Sequence, residues 1–290
     1  MTAKPGEILK AKLNERRGLL VPGAANALSA RIIEEMGFEA IYITGAGVTN
    51  TFLGIPDLGF ISLPEIAQHT NAIRDVVSLP LIVDADTGFG NALNVGHTVR
   101  VLERAGANAI QLEDQVMPKR CGHFSGKDVI SAAEMVGKVK AAVDARLDSN
   151  FLIVARTDAR AIDGFQAAID RGNSFVEAGA DVTFIEAPET LDEIKRIPQL
   201  VKVPQIINMV IGGKTPIIPL TELAAMKFGM VLYANAALQG AIMGMQAALG
   251  DLRKAGQLDE SSPSVANFGE RQRLVQKPKF DKLEKKYAAD

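Results

Sequence analysis

Eight short apolar runs, separated by amphipathic stretches, constrain this chain more than any other feature. They are Leu19–Val21, Ala40–Thr44, Leu81–Ala85, Ala109–Leu112, Leu152–Ala155, Val182–Ile185, Gln205–Ile207 and Met230–Leu232. Each is brief and mostly aliphatic, as strands buried on both faces require. The stretches Ala25–Met36, Val95–Arg104, Ala132–Ala145 and Phe165–Ala178 carry helical periodicity, and Gly37, Gly106 and Gly179 stand where helix C-caps belong. The segments LERAGANAIQLED and VEAGADVTFIEA repeat one unit: helix, glycine cap, strand, acidic residue. Such alternation implies parallel strands with right-handed crossovers. The expected fold is α/β, a TIM-type (β/α)8 barrel with extra C-terminal helices. A doubly wound sheet would also absorb the alternation, but no G-x-G-x-x-G follows the first strand.

A barrel of this type takes about 250 residues, so the 290-residue chain is expected to hold one barrel over residues 1–255 and a helical tail over 256–290. The tail is polar and ends in KPKFDKLEKKYAAD. Before it, Ala236 to Leu252 is rich in Ala, Met and Gly and nearly uncharged, which predicts a helix packed within the subunit or against another copy. A net charge of −2 gives no global field for nucleic acid. The single cysteine, Cys121, allows no intrachain disulfide, and the N-terminal residues lack an apolar signal core. No run reaches the roughly 20 apolar residues of a membrane span. A cytoplasmic protein without membrane or nucleic-acid partners is the expectation.

Catalytic groups of such barrels sit at the C-terminal strand ends, and here those ends are polar one after another. The second run ends in Thr44, Gly45 and Ala46, the third in Asp84 and Asp86, and the fourth in Glu113 and Asp114. The fifth ends in Arg156 and Asp158, the sixth in Glu186 and the seventh in Asn208. Asp84 and Asp86, two apart, would share a strand face and repel unless a cation neutralises them. With Glu113 beside them, an all-oxygen set suits Mg²⁺ or Mn²⁺. Gly88 and Gly90 are expected to let the backbone approach a ligand.

The segment PKRCGHFSGK, residues 118–127, follows the fourth strand with Lys119, Arg120, Cys121 and His123 between flexible ends. Basic neighbours lower a thiol's pKa and prepare it for proton transfer. No second Cys or His pair completes a zinc site there. His69 and His97 fall in helical stretches and read as structural.

TGAG, PDLGF, VDADTGFGN, EDQ, PKRCGH, ARTDA and NMVIGGKTP together resemble the isocitrate lyase and phosphoenolpyruvate mutase superfamily, from about Gly18 to Gly250. KRCGH is similar to the branch whose lyases use a cysteine. The resemblance implies a metal site of Asp84, Asp86 and Glu113 holding Mg²⁺, with Asp57 near its shell. It implies that Thr44, Gly45, Ala46 and Arg156 bind a pyruvate-like carboxylate, and that Tyr42 helps remove a hydroxyl proton. Cys121 would be the general acid. Lys119, Gly122 and His123 would shape a gating loop, and Glu186 and Asn208 would complete the pocket. It further implies a homotetramer that exchanges C-terminal helices.

The implied reaction is Mg²⁺-dependent cleavage of a substituted 2-hydroxy dicarboxylate, resembling 2-methylisocitrate or 2,3-dimethylmalate, to a 2-oxo acid and a carboxylate through a metal-stabilised enolate. Two positions depart from the pattern. Ile211 stands where related lyases carry Glu, and Gln239 stands about where the methylisocitrate type has Arg. Without an arginine grip for a third carboxylate, the smaller substrates of the dimethylmalate lyase, oxaloacetate hydrolase and carboxyphosphonoenolpyruvate mutase branch are favoured. Oxaloacetate decarboxylation or hydrolysis, phosphonomutase chemistry, and non-catalytic binding on the same scaffold are the alternatives.

Overall fold

The computed structural model describes residues 3–120, 122 and 126–288. Eight parallel strands close into a barrel in chain order: β1 Leu19–Ala24, β2 Ile41–Ile43, β3 Leu81–Asp84, β4 Ala109–Glu113, β5 Leu152–Thr157, β6 Val182–Ile185, β7 Gln205–Asn208 and β8 Met230–Tyr233. All eight expected runs are strands, and closure of β1 onto β8 leaves no edge.

Strand alternation divides the side chains between two environments. Val21, Tyr42, Ile82, Val154, Phe184, Ile206 and Leu232 share one core inside the barrel, with Leu9 and Leu13 of the helix Pro5–Glu15 in the same cluster. The opposite parity packs outward onto helices. Ile41, Ile43, Leu81, Val83 and Ile110 form one outer core, and Ile185, Ile207 and Val231 form another.

Several helices begin on side-chain caps, which satisfy otherwise orphaned N–H groups. Asn26 accepts from Ser29 N at 2.9 Å, Asn91 from Leu93 N at 2.9 Å, and Thr190 from Glu193 N at 3.1 Å. Gly106 ends the helix Ala92–Arg104 at φ 99°, its N–H donating to the Glu103 carbonyl while Ala107 N–H reaches Leu102. Gly179 repeats the arrangement after Phe165–Glu177.

The chain divides into two compact units, one up to Ala236 and one from Ala237. The second contains most of the helix Ala236–Ala255 and the helices Phe268–Leu274 and Lys277–Tyr287. No residue of Ala236–Ala255 is buried: Met243, Met245 and Leu249 are each more than half exposed. Among the described residues, no helix is long and apolar enough to cross a membrane.

Candidate active site

The inward parity of each strand continues past the apolar core into a polar layer. Ile82 leads to Asp84, Ala109 to Gln111 and Glu113, Val154 to Arg156, Phe184 to Glu186, and Ile206 to Asn208. The layer faces a cavity of about 60 Å³. Tyr42, Thr44, Ala46, Asp57, Asp84, Glu113, Lys119, Gly122, Arg156, Glu186 and Asn208, all picked out in the sequence, line it. Gly45 stands just behind, where an added Cβ would sit 3.0 Å from Asp84 Oδ2 and 3.5 Å from Asp86 Oδ1. Cys121 and His123 lie outside the described residues.

One side of the layer is acidic. Asp84 Oδ1 accepts from Gln111 Nε2 and from Asp86 N, both at 3.3 Å, and Oδ2 accepts from Gly45 N at 3.3 Å. The expected reason for pairing the two aspartates needs correction. β3 ends at Asp84, and Asp86 is carried by a left-handed turn, φ 47°, rather than by strand alternation. At Gly88 and Gly90, side chains would meet Val95 and Asn94, at the start of the helix Ala92–Arg104.

Lys119 Nζ reaches Asp57 Oδ1 and Oδ2 at 2.6 and 2.7 Å and approaches Asp86 Oδ1 at 2.8 Å. Burial raises the Asp86 carboxyl to about 7; Lys119 opposes the rise, and Asp84 and Asp57 add to it. Burial likewise holds Glu113 well above the usual range, with Arg156 opposing and Asp158 adding. Buried carboxylates in this condition call for a cation.

The donor set fits a hard divalent ion. Glu113 Oε1 is a buried oxygen without a hydrogen-bond donor, and Asp86 Oδ1 has only the Lys119 ammonium, at 2.8 Å, beside it. Among the described residues, no three acidic, His or Cys groups converge as a ready-made cage. A hard divalent ion can be held by one or two carboxylates with water completing its shell.

A pH effect follows. An acid whose folded pKa is raised contributes stability that is complete below its unfolded value, 3.8 here, and lost as pH rises through about 7. Metal-free protein should therefore lose on the order of 1 kcal/mol between pH 6 and pH 8 from this group. Mg²⁺ competes with that proton, so it should raise the melting temperature more at pH 8 than at pH 6. Equal shifts in thermal unfolding at the two pH values would remove Asp86 from the ion's ligands.

The other side centres on Arg156, which β4–β5 register sets beside Glu113. Its Nε and Nη2 donate to Asp158 Oδ2 and Oδ1 at 2.9 and 3.1 Å; Nε lies 3.4 Å from Glu113 Oε2, and Nη2 lies 3.7 Å from Glu186 Oε1. The guanidinium carbon sits 5.2 Å from the Phe184 ring centroid. Burial would raise Asp158, but Arg156 and Lys127 outweigh it and hold the carboxyl below its usual range. Lys127 Nζ is 2.7 Å from Asp158 Oδ1 and also donates to the Gly122 carbonyl. Gly122 admits no side chain, since a Cβ would fall 2.3 Å from Glu186 Oε1 and 2.4 Å from Arg156 Nη2.

Tyr42 joins the two sides. Its hydroxyl donates to Gln111 Oε1 at 2.9 Å, and burial, reinforced by Asp84, keeps the phenol well above its ordinary value and neutral. Thr44 Oγ1 accepts from Gly47 N at 3.1 Å and donates to Asn235 Oδ1 at 3.2 Å. Sequence reasoning missed Gln111, Lys127 and Asn235. Gln111 interrupts an otherwise apolar strand, a signal that could have identified it; Lys127 and Asn235 carried none.

An eight-stranded parallel barrel whose C-terminal strand ends carry a carboxylate-rich layer beside a buried arginine is the architecture of an enzyme active site. The phosphoenolpyruvate phosphomutase family model matches residues 9–253. The 2,3-dimethylmalate lyase of Eubacterium barkeri is 43% identical over 280 residues, covering 95% of this chain and 96% of its own. The 2-methylisocitrate lyase of Aeropyrum pernix is 46% identical over 253 residues, covering 87% and 81%. Among solved structures, oxaloacetate acetylhydrolase with the inhibitor 3,3-difluorooxalacetate superposes with a TM-score of 0.92 at 31% identity, covering 99% of both chains. Phosphonopyruvate hydrolase in complex with oxalate and Mg²⁺ gives 0.88 at 30%, covering 98% of this chain and 99% of its own. The chain belongs to the isocitrate lyase and phosphoenolpyruvate mutase superfamily.

Proposed function

We propose that this carbon–carbon lyase cleaves a substituted 2-hydroxy dicarboxylate of the dimethylmalate kind to a 2-oxo acid and a carboxylate. The observation that carries the reading is the polar layer itself, with Asp84, Glu113 and Arg156 side by side at the ends of β3, β4 and β5 and lining one cavity. Asp84, Asp86 and Glu113 would hold Mg²⁺ or Mn²⁺, which supplies Lewis-acid stabilisation of the negative charge that develops as the bond breaks.

This chain's residues do the rest. The Thr44–Ala46 turn and Arg156 bind the carboxylate beside the reacting carbon, while Glu186, Asn208 and Gly122 close the wall. The Tyr42 oxygen, its own proton committed to Gln111, accepts a hydrogen bond from the substrate hydroxyl and orients that proton for removal. Transfer of that proton to a water molecule at Tyr42 turns the hydroxyl-bearing carbon into the carbonyl of the 2-oxo acid. The electron pair of the broken bond goes to the carbon beside the second carboxylate, and Cys121 protonates that carbon. Lys119 and His123 shape the segment that carries the thiol.

The likeness to oxaloacetate acetylhydrolase favours a second reading, hydrolysis or decarboxylation of oxaloacetate at the same site. Incubation with malate, methylisocitrate, dimethylmalate and oxaloacetate in the presence of Mg²⁺, followed by product identification, separates the two. Pyruvate or glyoxylate release from a hydroxy acid supports the lyase reading; oxalate and acetate from oxaloacetate alone would replace it with the hydrolase. The unburied apolar helix Ala236–Ala255 supports a homotetramer built by helix exchange.

A further inference from the structure

We propose that Arg120 grips the distal carboxylate of the dicarboxylate substrate and that Gln115 is the residue that aims it. The proposal rests on the lyase reading of the site and deepens it.

Three cations line the cavity: Lys119, Arg120 and Arg156. Two are already engaged by protein carboxylates. Lys119 is taken by Asp57 and Asp86, and Arg156 is taken by Asp158, Glu113 and Glu186. The Arg120 guanidinium makes no ion pair or hydrogen bond among the described residues, and its side chain is exposed. A guanidinium at a cavity wall with no protein partner among the described residues is available to an acidic ligand, and its planar fork suits a carboxylate bidentately.

The backbone of Arg120 is fixed in a way its exposed side chain does not require. Gln115, 1% exposed, accepts from Arg120 N at 2.9 Å through Oε1 and donates to the Arg120 carbonyl at 2.7 Å through Nε2. Both halves of a buried amide are thus engaged with one residue. Gln115 is itself anchored by an antiparallel bridge to Val129, with Val116 N donating to the Asp128 carbonyl and Ile130 N to the Asp114 carbonyl, both at 2.9 Å. The clasp reduces the entropy that Arg120 loses on binding, because its backbone is ordered beforehand. Arg156, on a barrel strand, and Arg120, on the segment after β4, then address the two ends of one molecule.

Calorimetry in the presence of Mg²⁺, with oxalate and with malate as ligands, tests this. Oxalate, two carbons long, needs only the Arg156 end; malate, four carbons long, reaches both. Arg120→Gln should weaken malate at least tenfold and change oxalate less than twofold. Gln115→Leu should weaken malate at least threefold with oxalate again within twofold, and Arg120→Lys should recover part of the malate affinity. Arg120 is exposed, so its variants test the proposal even if Gln115→Leu fails to fold. Equal losses for both ligands, or no loss in Arg120→Gln, would overturn the assignment alone. Wild-type protein that binds neither ligand would overturn the lyase reading and this assignment with it.

Discussion

Replacing Arg156 by methionine is expected to destabilise the protein by about 3–5 kcal/mol, the range for removing one partner of a buried ion cluster. Methionine keeps the length and apolar stem but leaves Asp158, Glu113 and Glu186 facing one another without their shared cation. Asp158 suffers most, because Arg156 is what chiefly holds its carboxyl below the usual range against burial. The melting temperature should fall by roughly 10 °C, taking about 2–4 °C per kcal/mol for a domain of this size. Oxalate should no longer raise it. Arg156→Lys should rescue little, since a point charge cannot make the two-pronged contact to Asp158. A melting temperature within a degree or two of wild type would show that the cluster is not the keystone described here.

Cys121→Ser should lower turnover by about 10²–10⁴-fold, the usual contribution of a positioned general acid, while oxalate binding and the Mg²⁺ requirement survive. A serine hydroxyl occupies nearly the same volume but is a far weaker acid, so the departing carbanion loses its proton source. Single-turnover kinetics locate the loss in bond cleavage, and calorimetry checks binding. Unchanged turnover would remove the thiol from the mechanism.

The barrel was legible because both-face burial leaves a compositional trace: eight aliphatic runs cannot be hidden by loops. Strand-end polarity then pointed to Asp84, Glu113, Arg156, Glu186 and Asn208, since inward parity continues by simple alternation. What the sequence hid were relations rather than residues. Asp86 reaches the site through a left-handed turn that no periodicity announces. Lys127 meets Asp158 across 31 positions, and Gln111 meets Tyr42 across 69. Asp114, adjacent to Glu113, points instead to Thr157 and Arg171, supporting the loop behind the site. Neighbouring acids in the sequence thus do different work, and only alternation tells them apart.

The closed barrel distributes its tasks by arc. Asp84, Glu113 and Arg156 stand on β3, β4 and β5, tied to one another by side-chain bonds and strand register. The far wall, with Asn208, Val210, Ala234 and Asn235, stands at the ends of β7 and β8, and of these only Asn235 is joined by a side-chain bond to the substrate loop. One arc is therefore mutationally stiff and the other permissive. Val210 and Ala234 can be exchanged without breaking a side-chain bond in the half that carries the charges.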